Sequence, residues 1–173
     1  MGVKRAVADH KRLIGFIARA LTGAGIRLSV AESCTGGLLS SLITDVPGSS
    51  DYFTGSIVAY SNEVKERLLG VNPDTIRRHG AVSGETAREM AAGARRRLKS
   101  GISVAITGIA GPSGGSARKP VGTVFISVSL RCEGRNDNTT TKRFTFRGTR
   151  ASIKRQSALQ ALKMLSATAV ACV

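Results

Sequence analysis

A carboxylate, a hydroxyl and a thiol stand together in the stretch AESCTGG, Ala31 to Gly37, directly after a mostly apolar run. Where a strand gives way to a helix, side chains are exposed at the sheet edge and the first helical N–H groups are free. Ser33 in that position is a candidate nucleophile with N–H donors nearby for an oxyanion. The pattern is not GxSxG, and helix capping by Ser33 or Thr35 is the structural alternative.

Cys34 is a rival nucleophile, but cysteine hydrolases normally use a histidine base, and the chain contains only His10 and His79. We therefore expect Cys34 to be a small buried core residue. A serine nucleophile without histidine needs another base, and serine–lysine pairs are a known variant. The stretch VAYSNEVK offers Tyr60 at a strand end and Lys65 one turn into the next helix, where an ordinary surface position is the alternative for Lys65.

A second candidate site is the glycine-rich stretch TGIAGPSGGSARKPVG, Thr107 to Gly122. Glycines allow backbone N–H groups to approach a phosphate closely. The stretch is neither a Walker A loop nor a GxGxxG motif, so a flexible connection is the alternative. Its place after a buried strand favours ligand binding, because ligands of open α/β sheets bind beyond the carboxyl ends of the strands.

Helical and strand patterns alternate along the chain and would bring these candidates together. Apolar periodicity and capping residues predict helices at 9–23, 36–43, 62–69, 84–99 and from about 150, with a short one opening at Pro73. Strands are predicted at 26–30, 56–60, 102–106, 123–130 and 139–146, the last two joined as a hairpin through EGRNDN. This order predicts one domain over residues 1–173, a three-layer α/β/α sandwich with a mixed, mostly parallel sheet.

The bulk composition narrows the class of protein. The three cysteines are an odd number without CxxC spacing, which fits a reducing cytoplasm and predicts neither a disulfide framework nor a metal site. No apolar stretch reaches the roughly 18–20 residues that span a bilayer, and the N-terminus does not resemble a secretory signal. An ordinary solvated surface is the structural alternative for the formal charge of +15. A basic surface also attracts anions, either a small ligand or nucleic acid, although no RNP-type aromatics support nucleic-acid binding.

With these segments assembled, the chain resembles the CinA C-terminal-domain family, the nicotinamide-nucleotide amidohydrolases also called competence/damage-inducible proteins. The resemblance covers residues from about 11 to 168. The matching stretches, in order, are AESCTGG, DVPGSSDYFTGSIVAYSNEVK, LLGV, HGAVS, ITGIAGPSGGSARKPVGTVF and FRGTR.

The resemblance implies deamidation of nicotinamide mononucleotide to nicotinate mononucleotide and ammonia, by a serine amidohydrolase that needs no metal or cofactor. It implies that Ser33 is the nucleophile, Lys65 its base and Tyr60 a partner in the same network. It also implies that Thr107 and the Arg147 of FRGTR bind or orient the nucleotide.

The backbone around these residues completes the predicted site. We expect the turn after the nucleophile, with Thr35 and Gly36, and the loop glycines Gly108 and Gly111 to cradle an oxyanion or a phosphate. The sequence leaves two roles open for Glu32. It either holds Lys65 or Tyr60 in place or accepts a hydrogen bond from a backbone N–H group. A homo-oligomer, most simply a dimer, is expected because two-fold dimers are the commonest soluble assembly. The competing classes are a non-enzymatic nucleic-acid-binding module and an inactive nucleotide-binding member of the family.

Overall fold

A computed structural model describes residues 2–131 and 138–170 of the chain, with side chains from residue 10 to 131 and from 138 to 169. Six helices and five strands make up this part of the chain. The helices are α1 (Gly2–Gly23), α2 (Leu38–Thr44), α3 (Asn62–Leu69), α4 (Pro73–His79), α5 (Gly84–Arg97) and α6 (Arg150–Val170). The strands are β1 (Leu28–Glu32), β2 (Phe53–Val58), β3 (Ile102–Gly108), β4 (Thr123–Leu130) and β5 (Asn138–Thr145).

The five strands form one mixed sheet in the order β2-β1-β3-β4-β5. β1 lies between β2 and β3 and is parallel to both, whereas β4 is antiparallel to its neighbours β3 and β5. Four strands therefore point in one direction and only β4 is reversed, which is the mixed, mostly parallel sheet that the sequence predicts. The carboxyl ends of β1, β2 and β3 consequently meet at one edge of the sheet, where ligands of such sheets bind.

The two faces of the sheet carry side chains of different size. On one face, branched residues such as Val30, Val104 and Ile126 pack against α1, α2 and α6 in the larger core cluster. On the other face the central strands present serine and alanine, including Ala31 and Ala105, against α5. Small side chains allow the helix to lie close to the strands. With helices on both faces, the predicted three-layer α/β/α arrangement is confirmed.

Helix α3 is held against α5 by a contact between main chains. Gly93 is buried in α5, and a Cβ atom built on it would lie 1.9 Å from the carbonyl oxygen of Leu69 at the end of α3. Only glycine fits at this contact, because any side chain would meet backbone that cannot rotate away. Since Lys65 lies on α3, this contact sets the position of a predicted site residue relative to the core.

Most predicted elements are confirmed, with boundaries that shift by a few residues, except that α1 begins at Gly2 instead of near residue 9. The helix over 62–69 and the strand over 123–130 have the predicted limits, and Ser83 caps α5 as expected, accepting a hydrogen bond from the Thr86 N–H. β1 begins two residues later than predicted, because Leu28 N–H pairs with the carbonyl of Tyr52 and starts the ladder there. Cys132 and the predicted hairpin connection EGRNDN, except for its last residue Asn138 at the start of β5, fall in residues 132–137, outside the described residues, as does Cys172. No described helix is long and apolar enough to cross a membrane.

Candidate active site

The carboxyl ends of the three parallel strands bring the first candidate residues together. Ser33 follows β1 directly, and its N–H donates to the carbonyl of Ile106 in β3 at 3.0 Å, which holds the serine beside Thr107. On the other side, the N–H of Ala59, just after β2, donates to the carbonyl of Glu32 at 2.8 Å. The chain then turns at once into α3, which carries Lys65. A cleft of about 330 Å³ opens over this edge of the sheet.

Ser33 and Lys65 are in direct contact at the floor of the cleft. Lys65 Nζ lies 3.2 Å from Ser33 Oγ and donates to it, and it also donates to the carbonyl oxygens of Ala59 at 2.9 Å and Tyr60 at 3.1 Å. Lys65 is 1% exposed and Ser33 8% exposed. The alternative of a surface lysine is therefore wrong. The distance is that of a nucleophile and base within hydrogen-bond reach.

Burial changes the acid–base chemistry of this lysine. Removal of the ammonium from water lowers the pKa of Lys65 below its ordinary value of 10.5, and the smaller effect of Cys34, which acts only in its thiolate form, opposes the shift. Within the described residues no carboxylate forms an ion pair with Lys65, so no salt bridge stabilises the charged form. A lysine whose pKa is lowered by burial supplies the neutral amine that a general base requires.

Cys34 lines the same cleft but has the chemistry of a core residue. It is 6% exposed and packs in the larger core cluster, as the sequence predicts. Burial raises the pKa of the Cys34 thiol from 9.0 to about 11, outweighing the opposite effects of a backbone hydrogen bond and Lys65. At neutral pH the thiol is therefore protonated, and the thiolate needed for attack is almost absent. Neither His10 nor His79 lines the cleft.

Glu32 organises the turn that presents Ser33. Its carboxylate is fully buried and accepts hydrogen bonds from the N–H groups of Gly37, Leu39 and Ser40, and from the Ser40 hydroxyl. A buried charge at the first turn of a helix is stabilised when several backbone donors point at it. Of the two roles left open from the sequence, the structure assigns Glu32 to backbone donors, and it makes no hydrogen bond to Lys65.

Arg150 lies across the mouth of the cleft, a residue that the sequence analysis missed. Its Nη1 donates to the carbonyl of Gly111 at 2.6 Å and its Nη2 donates to the Tyr60 hydroxyl at 3.0 Å. Tyr60 lines the cleft and is 62% exposed, and its side chain lies at the rim. The hydrogen bond of Tyr60 to Lys65 comes from its backbone carbonyl alone. The signal that could have found Arg150 is its position as the first residue of the last helix, at the end facing the site.

The glycine-rich loop forms the opposite wall. Thr107, Gly108 and Gly111 line the cleft as predicted. Thr107 Oγ1 donates to the carbonyl of Ala81 at 2.8 Å, which ties the loop to the segment before α5. Gly111 has a φ of 77°, and a Cβ there would lie 2.5 Å from Val121 Cγ1. This glycine is therefore required by backbone conformation and by packing.

Three predicted site residues are not among the described residues that line the cleft: Thr35, Gly36 and Arg147. Thr35 is fully buried, its Oγ1 without a hydrogen-bond partner among the described residues, and Gly36 is exposed beside Lys154. Arg147 is exposed, and its carbonyl accepts from Gln156 Nε2 at 2.8 Å. The guanidinium that reaches the site is thus that of Arg150, because Arg147 lies in the turn before α6.

Comparisons with known proteins show which family the chain is similar to. Among curated proteins, a CinA-like protein of Mycolicibacterium paratuberculosis is 50% identical over 157 residues, covering 91% of this chain and 36% of the relative. A CinA-like protein of Thermotoga neapolitana is 52% identical over 138 residues, covering 80% of this chain and 32% of the relative. The chain thus spans about a third of the length of these curated relatives.

Solved structures match over nearly their whole length. The crystal structure of the competence/damage inducible protein CihA from Agrobacterium tumefaciens superposes with a TM-score of 0.87 at 40% identity, covering 92% of this chain and 94% of that one. A competence-damaged protein (CinA) superfamily structure from Escherichia coli superposes with a TM-score of 0.84 at 29% identity, covering 93% of this chain and 90% of that one. The family model described as CinA C-terminal domain matches residues 10–169. The chain therefore belongs to the CinA C-terminal domain family.

Proposed function

We propose that this protein is an amidohydrolase that deamidates nicotinamide mononucleotide to nicotinate mononucleotide and ammonia, with Ser33 as nucleophile and Lys65 as its base. The observation that carries the proposal is the 3.2 Å contact between Lys65 Nζ and Ser33 Oγ in a buried position. Ser–Lys pairs of this kind serve acyl transfer without histidine. The resemblance of the sequence to nicotinamide-nucleotide amidohydrolases supplies the substrate.

In the first half of the reaction, Ser33 Oγ attacks the carboxamide carbon while neutral Lys65 takes the hydroxyl proton. The tetrahedral intermediate bears a negative oxygen. The N–H group of Cys34, which lines the cleft and donates to no backbone carbonyl in the described part of the chain, is available to it. The C–N bond then breaks as Lys65 returns the proton to the leaving nitrogen. Ammonia departs, and the nicotinoyl group is left as an ester on Ser33.

In the second half, water replaces ammonia. Lys65, neutral again, takes a proton from the water as its oxygen attacks the ester carbon, and the same proton returns to Ser33 Oγ as the ester bond breaks. The product is the carboxylic acid, which ionises at neutral pH. One amide and one water give one carboxylic acid and one ammonia, so the cycle needs no redox partner.

The rim of the cleft suits the anionic part of this substrate. Arg150 presents a planar guanidinium at the mouth, and such a group binds phosphate with two hydrogen bonds. The cleft of about 330 Å³ lies at the lower end of the range for small-molecule sites. We assign the phosphate to Arg150 and the reacting carboxamide to the floor beside Ser33.

The direct test is ammonia release from nicotinamide mononucleotide by the purified chain. We expect release by the native protein and loss of at least ~10³-fold in Ser33→Ala, the scale seen when a covalent nucleophile is removed. Cys34→Ala, a change at the neighbouring position, is the matched control and should keep most activity. No release by the native protein, together with salt-sensitive DNA binding, would favour a nucleic-acid-binding module instead.

A further inference from the structure

A second cleft lies at the opposite end of the sheet from Ser33, and we call it the basal cleft. It occupies about 480 Å³ beside the start of β1, the start of β3 and the end of β4. The uncharged part of its lining consists of small or apolar residues, Ala24, Gly25, Ile26 and Gly101. A seven-residue strand, roughly 20 Å long, separates this end of the sheet from the candidate active site.

Among the described residues, every charged residue that lines the basal cleft is positive. Three separate segments contribute Arg27, Lys99 and Arg131, and no described residue in the lining is acidic. None of the three forms an ion pair within the described residues. Arg27 donates only to neutral oxygens, the closest being the carbonyl of Asp51 at 3.2 Å. Three cations held at one cleft without a counter-charge repel one another, so an anion between them would be stabilised.

Backbone hydrogen bonds fix the three segments relative to one another. The carbonyl of Arg27 accepts from the N–H groups of Gly101 at 2.9 Å and Ile102 at 3.1 Å. The N–H of Arg131 donates to the carbonyl of Gly101 at 2.8 Å. The sheet hydrogen bonds thus fix the backbone that carries the three cations. This reduces the backbone entropy that is lost when a ligand binds.

Lys99 has a backbone conformation that a lysine rarely adopts. Its φ is 49°, and in the described part of the chain every other residue with a positive φ is a glycine. The left-handed region is unfavourable for a residue with a Cβ atom, and glycine would occupy it without that cost. This conformation closes the end of α5, where the N–H of Lys99 donates to the carbonyl of Arg96 at 3.3 Å and the N–H of Ser100 donates to that of Arg95 at 3.0 Å, and it places Lys99 in the lining of the basal cleft.

From three cations that share one cleft without an ion pair among the described residues, we propose that the basal cleft binds a small polyphosphate anion, the di- or triphosphate group of a nucleotide or its inorganic counterpart. Arginine guanidinium groups bind phosphate oxygens in pairs, and an ammonium adds a point charge. Three cations match the charge of a chain of phosphates better than that of a single carboxylate. The cleft volume is that of a small-molecule site.

The experiment is isothermal titration of the purified protein with inorganic tripolyphosphate and with ATP, each at low and high salt. The informative variant is Lys99→Gly, which removes the ammonium and relieves the backbone conformation. We expect its melting temperature to equal or exceed that of the native protein, while tripolyphosphate binding weakens about tenfold, as for loss of one charge-assisted contact. Arg131→Gln should weaken binding similarly. Arg155→Gln, an exposed arginine on α6, is the matched control and should bind normally.

The results of this titration can be distinguished from success or failure of the proposed deamidase function. ATP bound more tightly than tripolyphosphate identifies a nucleotide as the ligand, and equal affinity identifies the phosphate chain alone. An anion bound in the active-site cleft would be lost in Arg150→Gln and retained in Lys99→Gly, which would overturn the proposal. So would absence of binding at millimolar concentration, or binding that Lys99→Gly and Arg131→Gln leave unchanged. Deamidase activity should be the same in Lys99→Gly as in the native protein.

Discussion

Replacement of Lys65 by methionine or by arginine tests whether this residue acts as a base. Methionine keeps much of the volume and removes the amine. General base catalysis contributes about 10²–10⁴-fold, so removal of the amine should raise the barrier by about 3–5 kcal/mol. Arginine keeps the positive charge but does not release a proton near neutral pH, so Lys65→Arg should be as inactive as Lys65→Met.

The buried environment of Lys65 adds a pH dependence with a defined sign. Because burial lowers the pKa of the folded-state amine below 10.5, the neutral base becomes more abundant as pH rises, and kcat/KM should rise with it through an apparent pKa below 10.5. Between the folded and unfolded pKa values the unfolded chain binds more protons, so the unfolding free energy of the native protein should also rise with pH. Lys65→Met should lack this rise.

The assay is coupled detection of ammonia from pH 6 to 10, with thermal melts of each variant on the same buffers. Lys163→Met, a change at an exposed lysine on α6, is the control for loss of one positive charge. Loss of the amine also leaves the carbonyls of Ala59 and Tyr60 without this donor, at about 1–3 kcal/mol for each buried acceptor, so the melts show whether inactive variants are folded. A folded Lys65→Arg protein with more than a tenth of native activity would refute the base assignment.

Three further predictions concern neighbouring residues. Ser33→Ala should abolish deamidation while Cys34→Ala keeps most of it, measured as ammonia release; the reverse result would make the thiol the nucleophile. Arg150→Gln should raise the barrier for the nucleotide by about 2–4 kcal/mol and Arg147→Gln should not, with nicotinamide riboside, which lacks the phosphate, much less affected. Equal losses on both compounds would assign Arg150 to the fold or the chemistry. Gly93→Ala should lower the unfolding free energy by about 1–3 kcal/mol in urea denaturation, and an unchanged midpoint would contradict the close contact with α3.

The sequence could predict the elements of this fold because each carries a local signal. The strand before Ser33 is apolar, and the helix that carries Lys65 has an N-cap serine and the right periodicity. The meeting of Ser33 with Lys65 is not local, since 32 positions separate them, and spacing alone favoured a surface lysine. Only the parallel pairing of β1 with β2 brings the two together. The prediction that Ser33 and Lys65 act together came from the family resemblance.

The choice between two arginines shows where sequence reasoning failed. Arg147 and Arg150 both lie in FRGTR, and a prediction that β5 ends at Phe146 placed Arg147 nearest the sheet edge. β5 ends at Thr145, and the N–H of Phe146 donates to the carbonyl of Gly122 at 2.9 Å, which turns the chain before α6. Arg150 then opens the helix at the cleft. Arg150, three residues after Arg147, is the guanidinium that contacts Gly111 and Tyr60 at the rim.

The main-chain contact between α5 and α3 has a consequence for how the site tolerates change. Gly93 meets the backbone of Leu69, and backbone atoms have no rotamers to exchange. Changes in the packing of core side chains, by mutation or by thermal motion, therefore have little effect on the distance between Ser33 and Lys65. Helix α3, which carries the Lys65 amine, is held at a fixed distance from the sheet by its contact with α5. Surrounding core residues can vary in sequence while the reacting atoms keep their separation.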